Sequence, residues 1–575
     1  MAVLRSFLLL TAILFAADFA YAKNKYHPTV TYFRRKLADG SDADAQVRVK
    51  FPDKVIKDFD ERATLYVKPS YINNGEEVTV VWAGVVNATK DDIIGFYCPK
   101  TDPAKHYLDY IDVTACPTWA KGFGNYTVKL YNMRSVCEFR YYRKRSTWTA
   151  VSNEVVFKGG VDEPLMGHLS LTGDPTEMRV MWISGTAEKP LVLYGEGPSV
   201  PLEATGTTRT YNASNMCGPP ASTDGYWDPG YIHDVLLTGL KPSTRYYYTY
   251  GSYKMLAEKH SFRTGPPIGP DASYRFNVFG DMGILPAATP IANEMVKEAK
   301  NGSSFLFHNG DLGYGLGYLH VWEQWQNLIE PFVTLMPHMI GVGNHEYDHA
   351  FGGKNDPSGA PGNGFHPWWA GPNEYGNDSY GECGVPTNMR FHMPDNGNSV
   401  FWYSFNYGSM HLIMMSTEHD FTKGSPQYQW LQKDLADIDR SVTPWVVIGG
   451  HRPMYTSQQI IGDYMISIGM RHYFEDLLLQ YKVDMAFWAH YHSYERTCQV
   501  NNTICQKGAP IHIVVGTAGK ELDTEPHWKF SWSEFYMNAY GYGRVTVHDR
   551  HSLLWEWIKV DEEGARLVDS VLLEK

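Results

Sequence analysis

The sequence predicts a multidomain fold, with N-terminal β-sandwich domains preceding an α/β domain flanked by helices. Three observations lead there. Short alternating runs fill the first part of the chain. From about residue 273 short apolar runs alternate with longer helix-like segments. The tail then returns to strand alternation. At roughly 100–200 residues per domain, a chain of 575 residues has room for about three or four domains.

The first stretch, "MAVLRSFLLLTAILFAADFAYA", has a basic residue, an apolar core and a small-residue end, so 1–22 reads as a cleaved signal peptide. Residues 23–160 read as a β-sandwich: "ATLYVKP" and "EEVTVVWAG" are strands separated by the turn "YINNGE". Residues 164–266 repeat the theme. There, "LKPSTRYYYTYG" suits a tyrosine corner, in which a phenol ties a loop to its own backbone. A linker, "TGPPIGPDAS", leads into 273–530, where strand–helix alternation implies an α/β core covered by helices, in one sheet or two. Within it, "SPQYQWLQKDLADID" is a helix opened by Ser425 and Pro426. The strand-rich segment 531–575 is expected to fold back onto this core.

Composition narrows the function. Net charge is −12 and no long basic block occurs, which argues against polymeric nucleic acid. No later segment is apolar enough for a membrane span. Sequons at Asn87, Asn125, Asn212, Asn301, Asn377 and Asn501 fit a secreted glycoprotein. Of seven cysteines, Cys498 and Cys505 flank a hairpin-like turn and are the disulfide candidate; the odd count leaves one thiol free or paired between chains.

The chemistry sits after the apolar runs. "YRFNVFGDMG" delivers Asp281, "SFLFHNGDLGY" delivers Asp311 and Tyr314, and "HMIGVGNHE" delivers Asn344 and His345. "WVVIGGH" delivers His451, and "DMAFWAHYH" delivers His490 and His492. In α/β sheets, sites gather beyond the carboxyl ends of strands, so distant segments can converge. Seven such groups exceed the four ligands of a tetrahedral zinc and fit two ions with Asp311 bridging. One ion would take Asp281, Asp311, Tyr314 and His492, a hard anionic set that calls for Fe(III). The other would take Asp311, Asn344, His451 and His490 and suits a divalent ion: Zn, Mn or Fe(II). Such a pair is a clamp for displacement at phosphorus by a metal-bound hydroxide. His345 falls outside the ligand count and is the expected catalytic residue, protonating the leaving oxygen or, with Asn344, holding substrate. His308 reads as a buried core histidine. Glu418 and His419 either support the site or end a strand.

These blocks, "DMG" 281–283, "GDLGY" 310–314, "GNHE" 343–346, "IGGH" 448–451 and "AHYH" 489–492, resemble the five-block pattern of purple acid phosphatases in the calcineurin-like metallophosphatase superfamily. The extra sandwich, "SLTGDPTEMRVMW" and "GECGVP" are similar to the large plant subgroup, which includes nucleotide pyrophosphatase/phosphodiesterases. The resemblance implies a fibronectin-III-like domain at 164–266 and a metallophosphatase domain with two mixed sheets at 273–530. It implies the same ligand assignment, Fe(III) plus one divalent ion, and small phosphate-ester or nucleotide substrates. It also implies secretion to the extracellular space or cell wall and a homodimer, which the odd cysteine could link. Ile448 and Ala489 depart from the usual valine and glycine. "RPMYTSQQIIGD" lacks the additional histidine that many relatives use on phosphate, which leaves Arg452 and Tyr455 as substitute phosphate contacts.

The leading expectation is hydrolysis of phosphate monoesters at acidic pH. The alternatives are nucleotide pyrophosphatase/phosphodiesterase activity and an inactive secreted binding protein. A Ser-based hydrolase lacks its G-x-S-x-G elbow.

Overall fold

The computed structural model describes residues 56–57, 62–347, 353–361, 364–370 and 374–575; the expected signal peptide lies outside them. The first strands alternate buried and exposed residues, as a half-buried sheet requires. Thr64–Lys68, Glu77–Ala83 and Gly124–Lys129 form one antiparallel sheet, and Ile93–Tyr97 and Glu138–Arg143 lie in a second, of five strands. Val67, Val80 and Trp82 from the first share one core with Phe96, Phe139 and Tyr141 from the second, which makes a sandwich. Cys98–Cys137 closes it. Cys116 is the free cysteine among the described residues and is buried in this core. That corrects the idea of an interchain link through the odd cysteine: its sulfur faces Thr118 inside the domain.

The second sandwich pairs two four-stranded sheets. Its tyrosine corner is Tyr246, whose phenol oxygen accepts from the Lys241 amide at 3.0 Å. This domain docks on the helix His320–Val333: the Tyr248 hydroxyl donates to the Thr334 carbonyl, and that of Tyr250 to Glu330. The first sandwich reaches the same helix through Arg134, which pairs with the buried Glu323.

The α/β domain has two mixed sheets. One runs His338–Ile340, Leu306–His308, Tyr274–Phe279, Gly541–Val547, Ser552–Asp561 and Gly564–Glu574, with the first three parallel. The other carries parallel Met410–Met414, Trp445–Gly449, Met485–Trp488 and Ile511–Val515 at its centre. These parallel strands are buried along their whole length, because both faces are covered. Phe276, Phe307, Phe405, Phe487 and Trp555 join the two sheets in one core. Segments beyond residue 530 enter both sheets: Ser533–Met537 pairs with Tyr494–Asn501, and Gly541–Val547 with Tyr274–Phe279. The helix Pro426–Asp437 starts as its sequence requires, with the Ser425 hydroxyl accepting from the Tyr428 amide.

Candidate metal centre

Each candidate ligand lies just beyond the carboxyl end of a parallel strand, where the last peptide turns out of the sheet. Asp281, Asp311, Tyr314 and His490 turn with positive φ, between +49° and +70°. Backbone strain of this kind concentrates at functional sites, at about 1–3 kcal/mol per residue. Gly343 is needed where it stands: an added Cβ would sit 2.1 Å from Asp311 Oδ1.

The structure gathers the seven predicted ligands into two adjoining groups. In the first, the Tyr314 hydroxyl donates to Asp281 Oδ1 at 3.0 Å and lies 3.0 Å from His492 Nε2. In the second, Asn344 Oδ1 is 3.0 Å from both His451 Nε2 and His490 Nδ1, and Asp311 Oδ1 is 3.3 Å from His451 Nε2. Oxygens of Asp281 and Asp311 and a nitrogen of His451 lie within 4.8 Å of one another, so Asp311 stands between the groups.

The three imidazoles decide whether cations fit. His451 Nδ1 donates to the Asn309 carbonyl, His492 Nδ1 to the Glu521 carbonyl, and His490 Nε2 faces Asp463 Oδ1 at 3.0 Å. With their outer nitrogens committed as donors, the His451 and His492 rings turn bare lone pairs inward, toward other acceptors; His490 Nε2 stands between Asp463 and Arg452 Nη1, at 3.3 Å, and its Nδ1 faces inward. Acceptors facing acceptors call for cations, and the donor set fits two. Without them, protons fill the role. Burial lowers the His451 pKa, but the Asp311 carboxylate outweighs it and pushes it up to about 10. His492 is likewise lowered by burial and raised by Asp281, to about 9. Burial, then Asp281 and Asp311, raise the Tyr314 phenol well above its ordinary value, so only a strongly acidic ion would take its proton.

His345 packs on Tyr314 with ring centroids 4.6 Å apart, and its Nε2 is 3.7 Å from Asp311 Oδ2. Arg452 and Tyr455 do not line the site as substrate contacts. Arg452 is 2% exposed, and its guanidinium is held by Glu418 at 3.0 Å and Asp463 at 2.8 Å, with Glu374 beyond. Four carboxylates absorb its charge once Asp378, at 3.9 Å, is included. Tyr455 is fully buried and its hydroxyl turns to Glu475. Glu418 thus supports the centre through Arg452, whereas His419 bonds Ser416 Oγ. His308 is buried against His338.

Sequence reasoning missed the residues that hold the ligands. Glu346 accepts the backbone amides of Asp311, Leu312 and Gly343 and so shapes the bridging loop; its place in "GNHE" was the available signal. Asp463, Asp378 and Asp523, which accepts the His492 amide, carry no motif. The Cys498–Cys505 disulfide is present, and Cys217–Cys383 joins the second sandwich to the α/β domain. Asn87, Asn125, Asn212 and Asn301 are exposed, and Asn377 and Asn501 half-buried. Among the described residues no helix is long and apolar enough to cross a membrane.

Comparison with known proteins agrees with this geometry. Residues 164–264 match the family described as purple acid phosphatase, N-terminal domain; 274–494 match calcineurin-like phosphoesterase; and 509–570 match iron/zinc purple acid phosphatase-like protein C. The chain is 35% identical to the probable inactive purple acid phosphatase 9 of Arabidopsis thaliana, over 81% of this chain and 77% of that protein. It is 28% identical to a nucleotide pyrophosphatase/phosphodiesterase of Hordeum vulgare, over 56% and 88%. A purple acid phosphatase isolated from yellow lupin (Lupinus luteus) seeds superposes with a TM-score of 0.79 at 28% identity, covering 90% of this chain and 96% of that one. Two sandwiches ahead of a ligand-ringed α/β core, matched at this identity across this much of a relative, mean that the chain belongs to the purple acid phosphatase family.

Proposed function

We propose that this protein is a secreted binuclear acid phosphatase. Asp281, Asp311, Tyr314 and His492 would hold Fe(III), and Asp311, Asn344, His451 and His490 a Zn, Mn or Fe(II) ion. The observation that carries this reading is the inward convergence of ring nitrogens of His451, His490 and His492 on acceptor oxygens. When bound, the ions would supply an acidified water as nucleophile and polarise a phosphoryl oxygen. The chain does the rest. His345 donates through Nδ1 to the Asp378 carbonyl, which leaves Nε2 toward the centre to give a proton to the departing oxygen. Lys520, 5.0 Å above the Tyr314 ring, adds positive charge on that side against the charge built up at phosphorus. Three disulfides among the described residues support an oxidising compartment.

The second reading is phosphodiester or nucleotide pyrophosphate hydrolysis, and one observation favours it. Asp378 and Asp463 flank the Asn344 side of the centre, where Arg452, an expected phosphate contact, instead serves these carboxylates. Negative charge there disfavours a dianionic monoester more than a monoanionic diester. Anomalous scattering at the iron and zinc edges, with p-nitrophenyl phosphate, its bis-ester and a dinucleotide assayed at acidic pH, tests both. Two ions and faster monoester turnover support the first reading; faster diester or dinucleotide turnover favours the second. A chain with no metal pair and no turnover would be an inactive binding protein; the Arabidopsis relative carries the words probable inactive in its name.

A further inference from the structure

An asparagine ligand has two faces. The amide oxygen of Asn344 binds a cation; its NH2 group would instead satisfy the lone pairs of His451 Nε2 and His490 Nδ1 and keep a cation out. What selects the face is therefore part of the centre. In the structure Asn344 Nδ2 donates to Asp378 Oδ2 at 3.1 Å, and Oδ1 points inward to both histidines. A carboxylate can only accept, so it rewards one orientation of the amide. The backbone carbonyl of Asp378 accepts a hydrogen bond from His345 Nδ1 at 3.0 Å. One residue thus orients two neighbours, by side chain on one and by main chain on the other.

The loop that carries Asp378 is held from another domain a few residues further on. The Gly381 carbonyl accepts from the Cys217 amide at 2.9 Å and from that of Gly218 at 3.3 Å. Gly381 has φ +87°, and a Cβ there would meet the Gly218 oxygen at 2.1 Å, so only glycine allows this approach. Glu382, fully buried, accepts from the Gly317 amide and from Trp322 Nε1, both at 2.8 Å. The Cys217–Cys383 disulfide completes the strap.

We infer that Asp378 is a positioning residue, and that the strap 378–383 couples the second sandwich to the divalent half of the centre. The inference rests on the two-ion reading. It gives the N-terminal domain a role in metal retention, and it localises that role to one half of the site.

The test is metal uptake. Iron-loaded wild type, Asp378→Asn and Asp378→Ala are titrated with Zn2+ against a chelator, while the tyrosinate absorption band reports on the Tyr314 half. Loss of such an orienting partner lowers metal affinity roughly 10–100-fold. The expected order of Zn2+ affinity is wild type, then Asn, then Ala, with the band retained in all three. Asn falls between because its amide can present either face to Asn344. A Cys217→Ser, Cys383→Ser double variant should show a smaller loss of the same sign. Equal Zn2+ affinity in wild type and Asp378→Asn overturns the inference, and so does parallel loss of band and Zn2+. Should Asp378→Ala not fold, the isosteric Asn variant carries the test. A wild type that binds fewer than two ions defeats the two-ion reading first, and the inference with it.

Discussion

The two halves of the centre use similar ligands but are held in place differently. On the Tyr314 side, the His492 ring is oriented by a main-chain carbonyl, with its Nδ1 donating to Glu521, while the Asp523 carboxylate accepts only from the His492 backbone amide. On the Asn344 side, the Asn309 main-chain carbonyl turns His451, but His490 and Asn344 depend on charged side chains. Asp463 faces His490, Arg452 grips Asp463 and Glu418, and Asp378 fixes Asn344. The first half is therefore tied to the fold itself. The second is tied to a buried network that must stay fully paired, since a buried charge that loses its partner is strongly destabilising. Asp311 belongs to both.

The largest effect should come from removing what the halves share. Asp311→Ala deletes the oxygen between the groups and the partner that raises the His451 pKa. Turnover should fall by at least about a thousandfold, the scale of losing a principal electrostatic element of catalysis. Metal analysis should show both ions depleted. Near-normal turnover with two ions retained would mean the halves are independent.

Next comes the network. Arg452→Ala leaves Glu418, which is fully buried, without its cation and strips Asp463 of one of its two basic partners. Breaking a buried pair from one side costs about 3–5 kcal/mol, so a large drop in denaturation midpoint is expected, with the divalent ion lost before the iron. Simultaneous loss of both ions would mean that the two halves are held alike. Tyr314→Phe acts on the other half. It should bleach the visible absorption while removing only the hydroxyl from a buried ring, at about 1 kcal/mol of stability. Unchanged colour would remove the tyrosinate from the assignment.

The same asymmetry explains what the sequence made legible. The seven candidate ligands could be read because each stands beside a run of buried strand residues, and a polar group there is conspicuous. The alternation also exposed both sandwiches and the Ser425 cap. Asp378 and Asp463 could not be read: single carboxylates in a loop and a first helical turn look like any solvated acid. Arg452 and Tyr455 were misplaced for a related reason. Adjacency to His451 in the chain says nothing about direction, and once the strand has turned, their side chains point to Glu418 and Glu475. The free thiol was countable, but its burial depends on a sheet pairing that no local pattern specifies.

The smallest effect is a pH dependence confined to the network half. Glu374 lies beside Asp463, and burial followed by repulsion from that carboxylate pushes its pKa up to about 9. Asp463 stays ionised because His490 and Arg452 outweigh its burial. The sign follows. A carboxyl whose folded pKa exceeds its unfolded value, near 4.3, binds more protons when folded, so its contribution to stability is complete below about pH 4 and is lost progressively up to about pH 9. The protonated Glu374 thus suits the network to an acidic setting. Glu374→Gln keeps the neutral shape at every pH. Melting curves from pH 5 to pH 9 should show wild type losing a few degrees more than the variant, with the divalent ion released earlier in wild type at the alkaline end. Parallel curves would place Glu374 outside the network, and the Asn344 side would then rest on Arg452, Asp463 and Asp378 alone.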